Sequence, residues 1–489
     1  MKSTDLFGDL FPSASIPTRE ILDVTDRASH ADVSSVFVCI KGSRTNGHSL
    51  AANAYARGCR VFVAQEKISL PPDACVLYTD DSRRTLSALA CRRFGNPSHE
   101  MKLIGITGTK GKTTTAHLIR HILECAGHSC GYIGTNGISY AGKELETNNT
   151  TPDALTLQKT LRAMCDIGVR VAVIEVSSQA LMQYRADGTI FEALVFTNLY
   201  NDHIGTLEHP SFEHYRTCKQ RLFRDFKAML AVGNADDPST QAILEGARAA
   251  RICLCSTGFA ADYSAQRPLP LRTASSLGIS FTVAHRGDSV LCSLPLMGRM
   301  NMENALLAIA VASEAFGVSL TLAAKALKSV CVRGRSEVLR LPGGALAVID
   351  YAHNGESLTQ LLTTLREYSP KRLTVLFGSV GERSQVRRSE LAHAASLADF
   401  AILTSDNPGQ ENPEAILAEI AAVLDKHGTP YQAIPDRAEA IVHAAKNAVD
   451  GEILALAGKG HETYQLIGNK KIPFSEKEIL QSLYLADPT

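Results

Sequence analysis

A glycine-rich turn that ends in a lysine and a threonine follows a short apolar run. The segment reads Met101-Lys-Leu-Ile-Gly-Ile-Thr-Gly-Thr-Lys-Gly-Lys-Thr-Thr-Thr115, and a helical pattern of apolar residues follows it. In such a turn the backbone N–H groups can converge on a polyphosphate, Lys112 can reach the terminal phosphates, and the Thr113 hydroxyl can ligate magnesium. The glycines are spaced by threes, which departs from the G-x4-G-K-[ST] pattern. We therefore predict a phosphate-binding loop at a helix N-terminus, with an ordinary glycine-rich loop as the weaker alternative.

Two further polar clusters follow apolar runs downstream of this turn. Glu175 ends the run from Val169, and Ser177-Ser178 come directly after it. This position predicts a magnesium ligand beside the phosphate loop, and capping of the next helix is the alternative. The run Asn198-Leu-Tyr-Asn-Asp-His203 closes the next predicted strand with more ligating side chains than an ordinary turn carries, so His203 is a candidate metal ligand.

Three polar loops end predicted strands in the last third of the chain: Asp350–His353, Ser405–Pro408 and Ala457–Glu462. Since the carboxyl ends of parallel strands share one edge of a sheet, we expect these loops to converge on a substrate pocket instead of being three unrelated turns. Arginines that follow a fourth strand end are suited to binding carboxylates, and a solvated helix face is the alternative for the last two. They are Arg383, Arg387 and Arg388.

The elements that must position these residues alternate between strand and helix patterns throughout the 489 residues. This alternation predicts an α/β protein of three domains. We place a small N-terminal α/β domain at 1–98, a central P-loop ATPase-like domain with a parallel sheet at 99–331, and a Rossmann-like domain at 332–489. The boundaries follow a polar stretch near Asn96 and the start of a third strand–helix alternation beyond Gly334.

Composition excludes several classes of function. Lys plus Arg and Asp plus Glu number 50 each, so we expect no nucleic-acid groove and no basic membrane face. No apolar run approaches the roughly 18 residues of a membrane span, and the N-terminus lacks a signal-peptide pattern. The 12 cysteines contain no Cys-x-x-Cys pair, which fits neither a zinc site nor a disulfide framework. We therefore expect a cytoplasmic protein without a membrane span.

Taken together, the motifs resemble those of the Mur ligases, in particular the MurE type, the UDP-N-acetylmuramoyl-tripeptide synthetases. The resemblance covers nearly the whole chain, and the motifs stand in the order and spacing of that family. They are Gly105-x-x-Gly-x-x-Gly-Lys-Thr113, Glu175-Val-Ser-Ser178, Thr197-Asn198 with Asp202-His203, Asn301 with Asn304, Gly334-Arg335, Asp350-Tyr-Ala-His353, Asp406-Asn-Pro408 and Gly458-Lys-Gly-His-Glu462.

The resemblance implies an enzyme of peptidoglycan synthesis that uses ATP to attach a diamino acid to the D-glutamate of UDP-N-acetylmuramoyl-L-alanyl-D-glutamate through an acyl-phosphate. It implies ATP and Mg²⁺ as cofactors, with Lys112, Glu175, His203 and Lys219 as catalytic residues. Lys219, which the sequence alone marks only as a helix-surface lysine, matches a family lysine carbamylated by carbon dioxide. The implied metal ligands are Thr113, Glu175, His203 and Lys219 as its carbamate.

The resemblance also implies three sets of binding residues. The ATP set is Gly108, Thr109, Lys110, Gly111, Lys112, Thr113, Thr114, Asn304, Arg335, Asp350 and His353. The UDP-muramoyl-dipeptide set is Thr25, Arg27, Thr150, Thr151, Ser177, Gln183 and Arg185, with residues 25–27 and 42–47 facing the uridine. The amino-acid set is Arg383, Asp406, Asn407, Gly458 and Glu462.

The chain departs from the family pattern at three motifs. Asp26-Arg27-Ala28 stands where the family has Asp-Ser-Arg, and Ser177-Ser178-Gln179 where it has Ser-Ser-His. Members that add diaminopimelate carry Asp-Asn-Pro-Arg, whereas this chain has Gly409 in the last position. The missing arginine would clamp the distal carboxylate of meso-diaminopimelate, so we expect L-lysine or a similar diamino acid to be preferred, unless Arg387 or Arg388 replaces the clamp.

Several alternatives stay open at this point. One is an enzyme that adds meso-diaminopimelate, and another is a Mur-ligase paralogue with a different acceptor. A folylpolyglutamate synthetase would begin almost directly with its phosphate loop, which the N-terminal domain argues against. A nucleotide-binding scaffold without turnover is disfavoured because it would not need all four catalytic residues. We expect small-molecule substrates, no nucleic acid and a monomer.

Overall fold

The structure, a computed structural model, describes residues 1–12, 16, 18–42, 45–201, 204–205, 208–381 and 385–485, with only the backbone described at 385, 484 and 485. The chain forms two compact units. The first comprises Met1–Ser264 with Leu306–Ala323, and the second comprises Ala265–Ala305 with Ala324–Thr489.

The first unit begins with a parallel sheet of four strands in the order β1-β2-β3-β4. Buried Val and Phe side chains of β2 and β3 point alternately to the two faces of this sheet, and each face packs in its own apolar cluster. The elements of this part are α1 (Ser3–Phe7), β1 (Asp23–Thr25), β2 (Ser35–Val38), α2 (Ala51–Ala56), β3 (Val61–Ala64), β4 (Cys75–Tyr78) and α3 (Ser82–Arg93).

A second sheet of the first unit carries the phosphate-loop strand near its middle. Its strands follow in the order β12-β11-β10-β5-β9-β6-β7-β8, and they are parallel from β12 to β6. The ends of β5, β9 and β10 therefore lie side by side, because β5 is hydrogen-bonded to both of the other strands. The elements are β5 (Lys102–Thr107), α4 (Lys112–Cys125), β6 (Cys130–Gly134), β7 (Gly137–Tyr140), β8 (Lys143–Leu145), α5 (Ala154–Asp166), β9 (Val171–Glu175), α6 (Ser178–Met182), β10 (Ala193–Phe196), α7 (Phe212–Arg224), β11 (Ala228–Asn234), α8 (Thr240–Leu244) and β12 (Ala249–Ser256).

The second unit is built around a six-stranded sheet in the order β16-β17-β21-β18-β19-β20. All neighbours are parallel except β16, which runs antiparallel to β17. Its remaining elements include an antiparallel hairpin, β14–β15, and a second hairpin, β22–β23. Apolar clusters cover the two faces of the six-stranded sheet.

The elements from residue 263 onward are β13 (Tyr263–Arg272), β14 (Leu277–His285), β15 (Asp288–Leu294), α9 (Arg299–Phe316), α10 (Leu320–Leu327), β16 (Glu337–Arg340), β17 (Leu346–Asp350), α11 (Gly355–Arg366), β18 (Leu373–Phe377), α12 (Gln385–Ala395), β19 (Phe400–Leu403), α13 (Pro413–His427), β20 (Tyr431–Ala433), α14 (Arg437–Lys446), β21 (Ile453–Ala457), β22 (Tyr464–Ile467), β23 (Lys470–Pro473) and α15 (Glu476–Leu485). Of these, β13, α9 and α10 each contain a boundary between the units.

The α/β class and the parallel sheets that the sequence predicts are confirmed. The apolar runs of the sequence at 61–64, 373–377 and 453–457 form β3, β18 and β21. The first unit holds the predicted N-terminal domain and most of the predicted central one, and the division at 98/99 and 331/332 stays a prediction. Across the described residues, every helix is too short or too polar to cross a membrane.

Candidate active site

The phosphate loop occupies residues 108–111, between the end of β5 and the first turn of α4. Gly108 lies so close to the end of β10 that a Cβ there would collide with Thr197 Oγ1. Gly111 has φ 81° and takes the N-cap position of α4, a left-handed conformation that glycine adopts without strain. The turn thus lies at a helix N-terminus, as predicted, where backbone N–H groups and the helix dipole favour an anion.

The segment after β10 holds the loop in shape. Asn198 accepts hydrogen bonds from the N–H of Lys110 through Oδ1 at 2.8 Å and from the N–H of Thr109 through its backbone oxygen at 2.9 Å. Thr197 Oγ1 donates to the Lys110 carbonyl at 2.6 Å. These side chains therefore fix the loop backbone, and His203, the predicted ligand of the same segment, lies outside the described residues.

Two lysines donate to one carbonyl oxygen of the loop. Lys112 Nζ lies 2.8 Å from Gly108 O, and Lys219 Nζ lies 2.7 Å from the same atom. Lys219 is 1% exposed and lies 4.5 Å from the centre of the Tyr215 ring. The expectation of a helix-surface lysine is therefore wrong, because this face of α7 packs on the loop instead of facing water.

Glu175 is fully buried at the end of β9, and each of its carboxylate oxygens accepts two hydrogen bonds. Tyr132 OH at 2.5 Å and the Thr135 N–H at 3.1 Å donate to Oε1. Thr113 Oγ1 at 3.0 Å and Thr135 Oγ1 at 3.1 Å donate to Oε2. The alternative of a helix cap is wrong, since Ser177 Oγ caps α6 by accepting from the N–H of Ala180.

The Thr113 and Glu175 pair fits a magnesium ion. Two neighbouring ligands of an octahedral Mg²⁺, each about 2.1 Å from the metal, stand about 3 Å apart. Thr113 Oγ1 and Glu175 Oε2 are 3.0 Å apart. Both oxygens could face one cation if the Thr113 hydroxyl proton turned away from the carboxylate.

Sequence reasoning missed the residues that hold Glu175 in place. Tyr132 lies within β6, and Thr135 follows the end of that strand, next to β9 in the sheet. The sequence did contain a signal for Thr135, because Gly134-Thr135-Asn136 is another polar cluster that follows an apolar run. Gly134 is required by close approach, since a Cβ there would collide with Glu175 Oε1 and Tyr132 OH.

The predicted dipeptide-binding residues downstream of β8 form one hydrogen-bonded group. Thr151 Oγ1 donates to Glu175 O at 2.7 Å and accepts from the Ser177 N–H at 3.0 Å. Arg185 donates to Thr151 O at 2.7 Å and to Gln183 Oε1 at 3.0 Å. Burial lowers the pKa of Arg185, which means that its cation is held where water is scarce. Thr150 joins the group through a 3.1 Å contact between its hydroxyl and that of Thr135.

Of the predicted uridine residues, Thr25 ends β1 of the N-terminal sheet and Arg27 follows that strand. Thr25 is buried at the end of β1 and its hydroxyl accepts from the Arg27 N–H at 3.1 Å, while the Arg27 side chain is exposed. Burial raises the pKa of Asp26 between them, with Asp153 adding to the effect. Residues 43 and 44 of the predicted 42–47 segment lie outside the described residues.

In the second unit, an aromatic stack follows the end of β17. The Tyr351 ring centre lies 4.6 Å from that of His353 and 4.7 Å from that of His461, and the Arg335 guanidinium lies 4.8 Å from it. Burial lowers the pKa of His461 to about 3, so its ring is neutral. Burial also raises the pKa of Asp350, against the opposing effect of Arg335. Among the described residues, Arg335 Nε and His461 Nδ1 are buried polar atoms without a protein partner, whereas most buried polar atoms in native proteins are paired.

The loops after β19 and β21 meet on a lysine that the sequence analysis left out. Lys459 is fully buried, and its Nζ donates to Glu462 Oε2 at 2.5 Å and to Asn407 Oδ1 at 3.0 Å. Its Nζ also lies 3.7 Å from Asp406. Together with the Tyr351–His461 stack, these contacts confirm the predicted convergence of three loops. The signal was Gly458-Lys-Gly-His-Glu462, of which only the first and last residues were assigned roles.

The predicted arginines that follow β18 and the predicted Asn304 lie in different surroundings. Arg388 is 3% exposed and pairs with Glu411 at 2.6 Å and Glu419 at 2.9 Å, so the alternative of a solvated helix face is wrong for it. Arg387 is half-buried on the same helix, α12, while Arg383 lies outside the described residues. Asn304 is buried in α9, where its Nδ2 donates to Asn301 Oδ1 at 3.2 Å.

Comparison with known proteins decides the family. Residues 106–312 match the Mur ligase middle domain, and residues 334–460 match the Mur ligase, glutamate ligase domain. A protein from Caldanaerobacter subterraneus subsp. tengcongensis named UDP-N-acetylmuramoyl-L-alanyl-D-glutamate--2,6-diaminopimelate ligase is 35% identical over 96% of this chain and 95% of its own. The chain belongs to the Mur ligase family.

Other Mur ligases agree with this assignment. A protein of the same name from Chlorobaculum tepidum is 38% identical over 92% of this chain and 90% of its own. A solved structure of such a diaminopimelate ligase is 28% identical, covers 99% of both chains and has a TM-score of 0.72. Mur ligases use ATP and Mg²⁺ and join an acid to an amino acid. This chain is therefore an ATP-dependent acid–amino acid ligase, and the resemblance seen in its motifs is confirmed.

Proposed function

We propose that this Mur ligase adds a diamino acid to the D-glutamate of UDP-N-acetylmuramoyl-L-alanyl-D-glutamate in peptidoglycan synthesis, and that it does so in the cytoplasm as a monomer. The proposal rests on one structural observation, the hydrogen-bonded convergence of the ends of β5, β9 and β10 on the phosphate loop. It is supported by the names of the relatives, which describe ligases for this acceptor.

The reaction needs charge neutralisation more than a protein nucleophile. The acceptor carboxylate attacks the γ-phosphorus of ATP, giving an acyl-phosphate and ADP, and the incoming amine then displaces phosphate to form the amide. Lys112 and the N–H groups at the start of α4 would stabilise the charge on the transferred phosphoryl group. Thr113 and Glu175 would hold Mg²⁺, which neutralises phosphate charge when bound. We assign His203 to a second metal ion by its motif.

The role assigned to Lys219 requires a covalent modification of its side chain. Carbamylation joins its neutral amine to carbon dioxide, forming an N–C bond and releasing a proton, and it replaces a cation with an anion that can bind Mg²⁺. The carbamate N–H could still donate to Gly108 O, which Nζ now contacts at 2.7 Å. Burial of the site favours the proposal, because a neutral amine is the reactive form and burial disfavours the ammonium.

The acceptor would be bound in the first unit. Arg185 is a half-buried cation whose described hydrogen bonds go to neutral oxygens of Thr151 and Gln183. A substrate carboxylate would offset the cost of burying this charge. We therefore assign it, with Thr150, Thr151, Ser177 and Gln183, to the muramoyl dipeptide, and Thr25 and Arg27 to its uridine end.

The motifs also assign nucleotide contacts to residues of the second unit. The unpartnered Arg335 Nε and the aromatic rings around Tyr351 favour a nucleotide contact there. We assign Asn304, Arg335, Asp350 and His353 to the adenine, ribose or phosphate. The amino acid would be bound by Arg383, Asp406, Asn407, Gly458 and Glu462.

We propose L-lysine, or another diamino acid without a distal carboxylate, as the added amino acid. Gly409 supplies no cation, and its φ of 59° lies in the left-handed region that disfavours a side chain. Arg388 is held by Glu411 and Glu419 and could replace the missing clamp only by breaking at least one of these pairs. Loss of a bidentate charge-assisted pair costs about 1.5–3 kcal/mol, or about tenfold or more in affinity.

The second candidate is an enzyme that adds meso-diaminopimelate. The relatives favour it, since those from Caldanaerobacter subterraneus and Chlorobaculum tepidum are named as ligases of that amino acid. It requires another cation to bind the distal carboxylate, and Arg387 on α12 is the described residue that we would test first by Arg387→Ala.

Phosphate release with ATP, Mg²⁺, the UDP-muramoyl dipeptide and one amino acid at a time tests the proposal. We expect release only when all components are present, and transfer of one ¹⁸O atom from a labelled acceptor carboxylate to phosphate. Release without the acceptor, or phosphate free of label, would contradict the acyl-phosphate route.

The carbamate has its own test. Lys219→Ala should lose ligase activity, and a small carboxylic acid such as acetate should restore part of it by supplying the missing oxygens. Lys219→Arg, which keeps the cation but cannot form the carbamate, should stay inactive with or without acetate. Full activity of Lys219→Arg would contradict a role for the carbamate.

A further inference from the structure

A group of metal-ligating side chains lies on α7 and just before it, apart from the residues assigned above to Mg²⁺. His209, His214 and Cys218 each offer one ligand atom, and these atoms lie within 4.8 Å of one another. We propose that these three side chains bind one thiophilic divalent cation, with Zn²⁺ as the best match.

The spacing of the ligand atoms is close to what a tetrahedral zinc ion requires. With Zn–N near 2.0 Å and Zn–S near 2.3 Å, neighbouring ligands stand about 3.3–3.5 Å apart. His209 Nδ1 lies 2.9 Å from His214 Nδ1, and Cys218 Sγ lies 3.8 Å from the same His214 atom. These two distances differ from the expected values by a few tenths of an ångström. The third pair, His209 and Cys218, lies within 4.8 Å and would have to approach to about 3.5 Å, with a fourth position left for water.

Local structure already orients the three ligands. His214 and Cys218 are four residues apart on α7, so they project from one face of the helix. The buried His209 ring has its other nitrogen, Nε2, 2.8 Å from Ser178 Oγ. When Nε2–H donates to this hydroxyl, Nδ1 carries the lone pair that faces His214, which is the arrangement found around histidines that bind metals.

The chemistry of the donors selects the class of cation. Two imidazoles and a thiolate suit zinc, whereas Mg²⁺ and Ca²⁺ prefer oxygen ligands. Cys218 is 4% exposed, and zinc binds a cysteine sulfur as the thiolate. Binding would therefore exchange the thiol proton, and the proton between the two imidazoles, for the metal.

This group has no Cys-x-x-Cys pair, which is why cysteine spacing alone predicted no zinc site. Its pattern is His209-x4-His214-x3-Cys218. The chain also provides a matched control on α4, where Cys125 Sγ lies 3.8 Å from His121 Nε2 at the same four-residue spacing. Among the described residues, no third His, Cys, Asp or Glu joins that pair in a metal-ligating group.

The test is a Zn²⁺ titration of the metal-free full-length protein in excess Mg²⁺, against a chelating indicator. We expect one tight site in the wild type and in Cys125→Ser. Loss of an outer partner of a metal ligand weakens binding about 10–100-fold, so loss of the thiolate in Cys218→Ser should cost about 100-fold or more. Equal binding by Cys218→Ser, or loss of the site in Cys125→Ser, would overturn the proposal.

Co²⁺ substitution of the wild type gives a second readout that needs no variant. We expect the visible absorption of tetrahedral cobalt together with a thiolate-to-cobalt charge-transfer band, and both should disappear on addition of Zn²⁺. Octahedral cobalt absorption without the charge-transfer band would overturn the proposal. Melting temperatures of the metal-free proteins show whether Cys218→Ser folds as the wild type does.

Discussion

The phosphate loop and the loop cluster of the second unit are both held by buried lysines, but the two sites are stabilised differently. Around the phosphate loop, backbone groups, hydroxyls and an amide hold the turn, and Lys219 donates to a carbonyl. In the second unit, Lys459 lies between the carboxylates of Asp406 and Glu462. The described hydrogen bonds of the first site go to neutral oxygens, whereas the lysine of the second site faces two carboxylates.

This difference predicts that the two sites contribute differently to catalysis and to stability. Buried ion pairs give weak net stabilisation when intact but are costly to break, because one charge is then left alone in the interior. We therefore expect substitutions at the phosphate loop to reduce catalysis at nearly constant stability, and substitutions in the loop cluster to reduce stability first.

Loss of the loop lysine should have the largest effect. Lys112→Met removes a cation from the transferred phosphoryl group and should lower kcat about 10²–10³-fold, with little change in the free energy of unfolding. The control is Lys102→Met at the other end of β5, where the lysine forms a half-exposed ion pair with Glu192. Steady-state phosphate release measures both, and equal rates for the two variants would contradict the assignment of Lys112.

Loss of the buried lysine in the second unit should instead unfold the protein more easily. Lys459→Met leaves the buried carboxylate of Asp406 and the partly buried one of Glu462 without this cation, and should lower the free energy of unfolding by about 3–5 kcal/mol. Lys477→Met breaks the ion pair with Glu337, whose lysine is 48% exposed, and should cost at most about 1 kcal/mol. Urea denaturation compares them, and equal losses would show that burial does not distinguish the two pairs.

Acid should affect the second unit through His461. Its pKa is lowered to about 3 in the folded chain, against about 6.5 when unfolded, so the unfolded state binds more protons between these values. Above about pH 6.5 the titration of His461 does not lower the free energy of unfolding. As the pH falls from 6.5 toward 3, it lowers the free energy of unfolding progressively, by about 2 kcal/mol at pH 5. His461→Gln should be less sensitive to this change in pH. Identical pH profiles of the two proteins would exclude His461 as the cause.

Restoring the family arginine should have the smallest effect. Gly409→Arg should shift the ratio of kcat/KM toward meso-diaminopimelate by about tenfold, from a bidentate pair with the distal carboxylate. The left-handed backbone at this position should cost it about 1–2 kcal/mol of stability. Gly409→Ala controls for this backbone strain and should leave the ratio unchanged. An unchanged ratio in Gly409→Arg would mean that the distal carboxylate is bound elsewhere.

The sequence predicted the parts of the site that follow from strand ends and glycine spacing. The phosphate loop, Glu175 and the three converging loops were found because parallel strands end at one edge of a sheet. Burial of Lys219 was not predicted, since its helix carries charged residues on both sides and only packing on Gly108 shows which face is inside. Tyr132 and Thr135 reach Glu175 because β6 pairs with β9 in a particular register, and residue patterns alone do not reveal that register.

The most direct test of the account is a competition experiment. The enzyme is given ATP, Mg²⁺, UDP-N-acetylmuramoyl-L-alanyl-D-glutamate and equal amounts of L-lysine, L-ornithine and meso-diaminopimelate. The products are then identified and quantified by mass spectrometry. We predict that the lysine or ornithine adduct exceeds the diaminopimelate adduct by about tenfold or more. A predominant diaminopimelate adduct would contradict the specificity inferred from Gly409, and the absence of any adduct would contradict the proposed acceptor or amino-acid class.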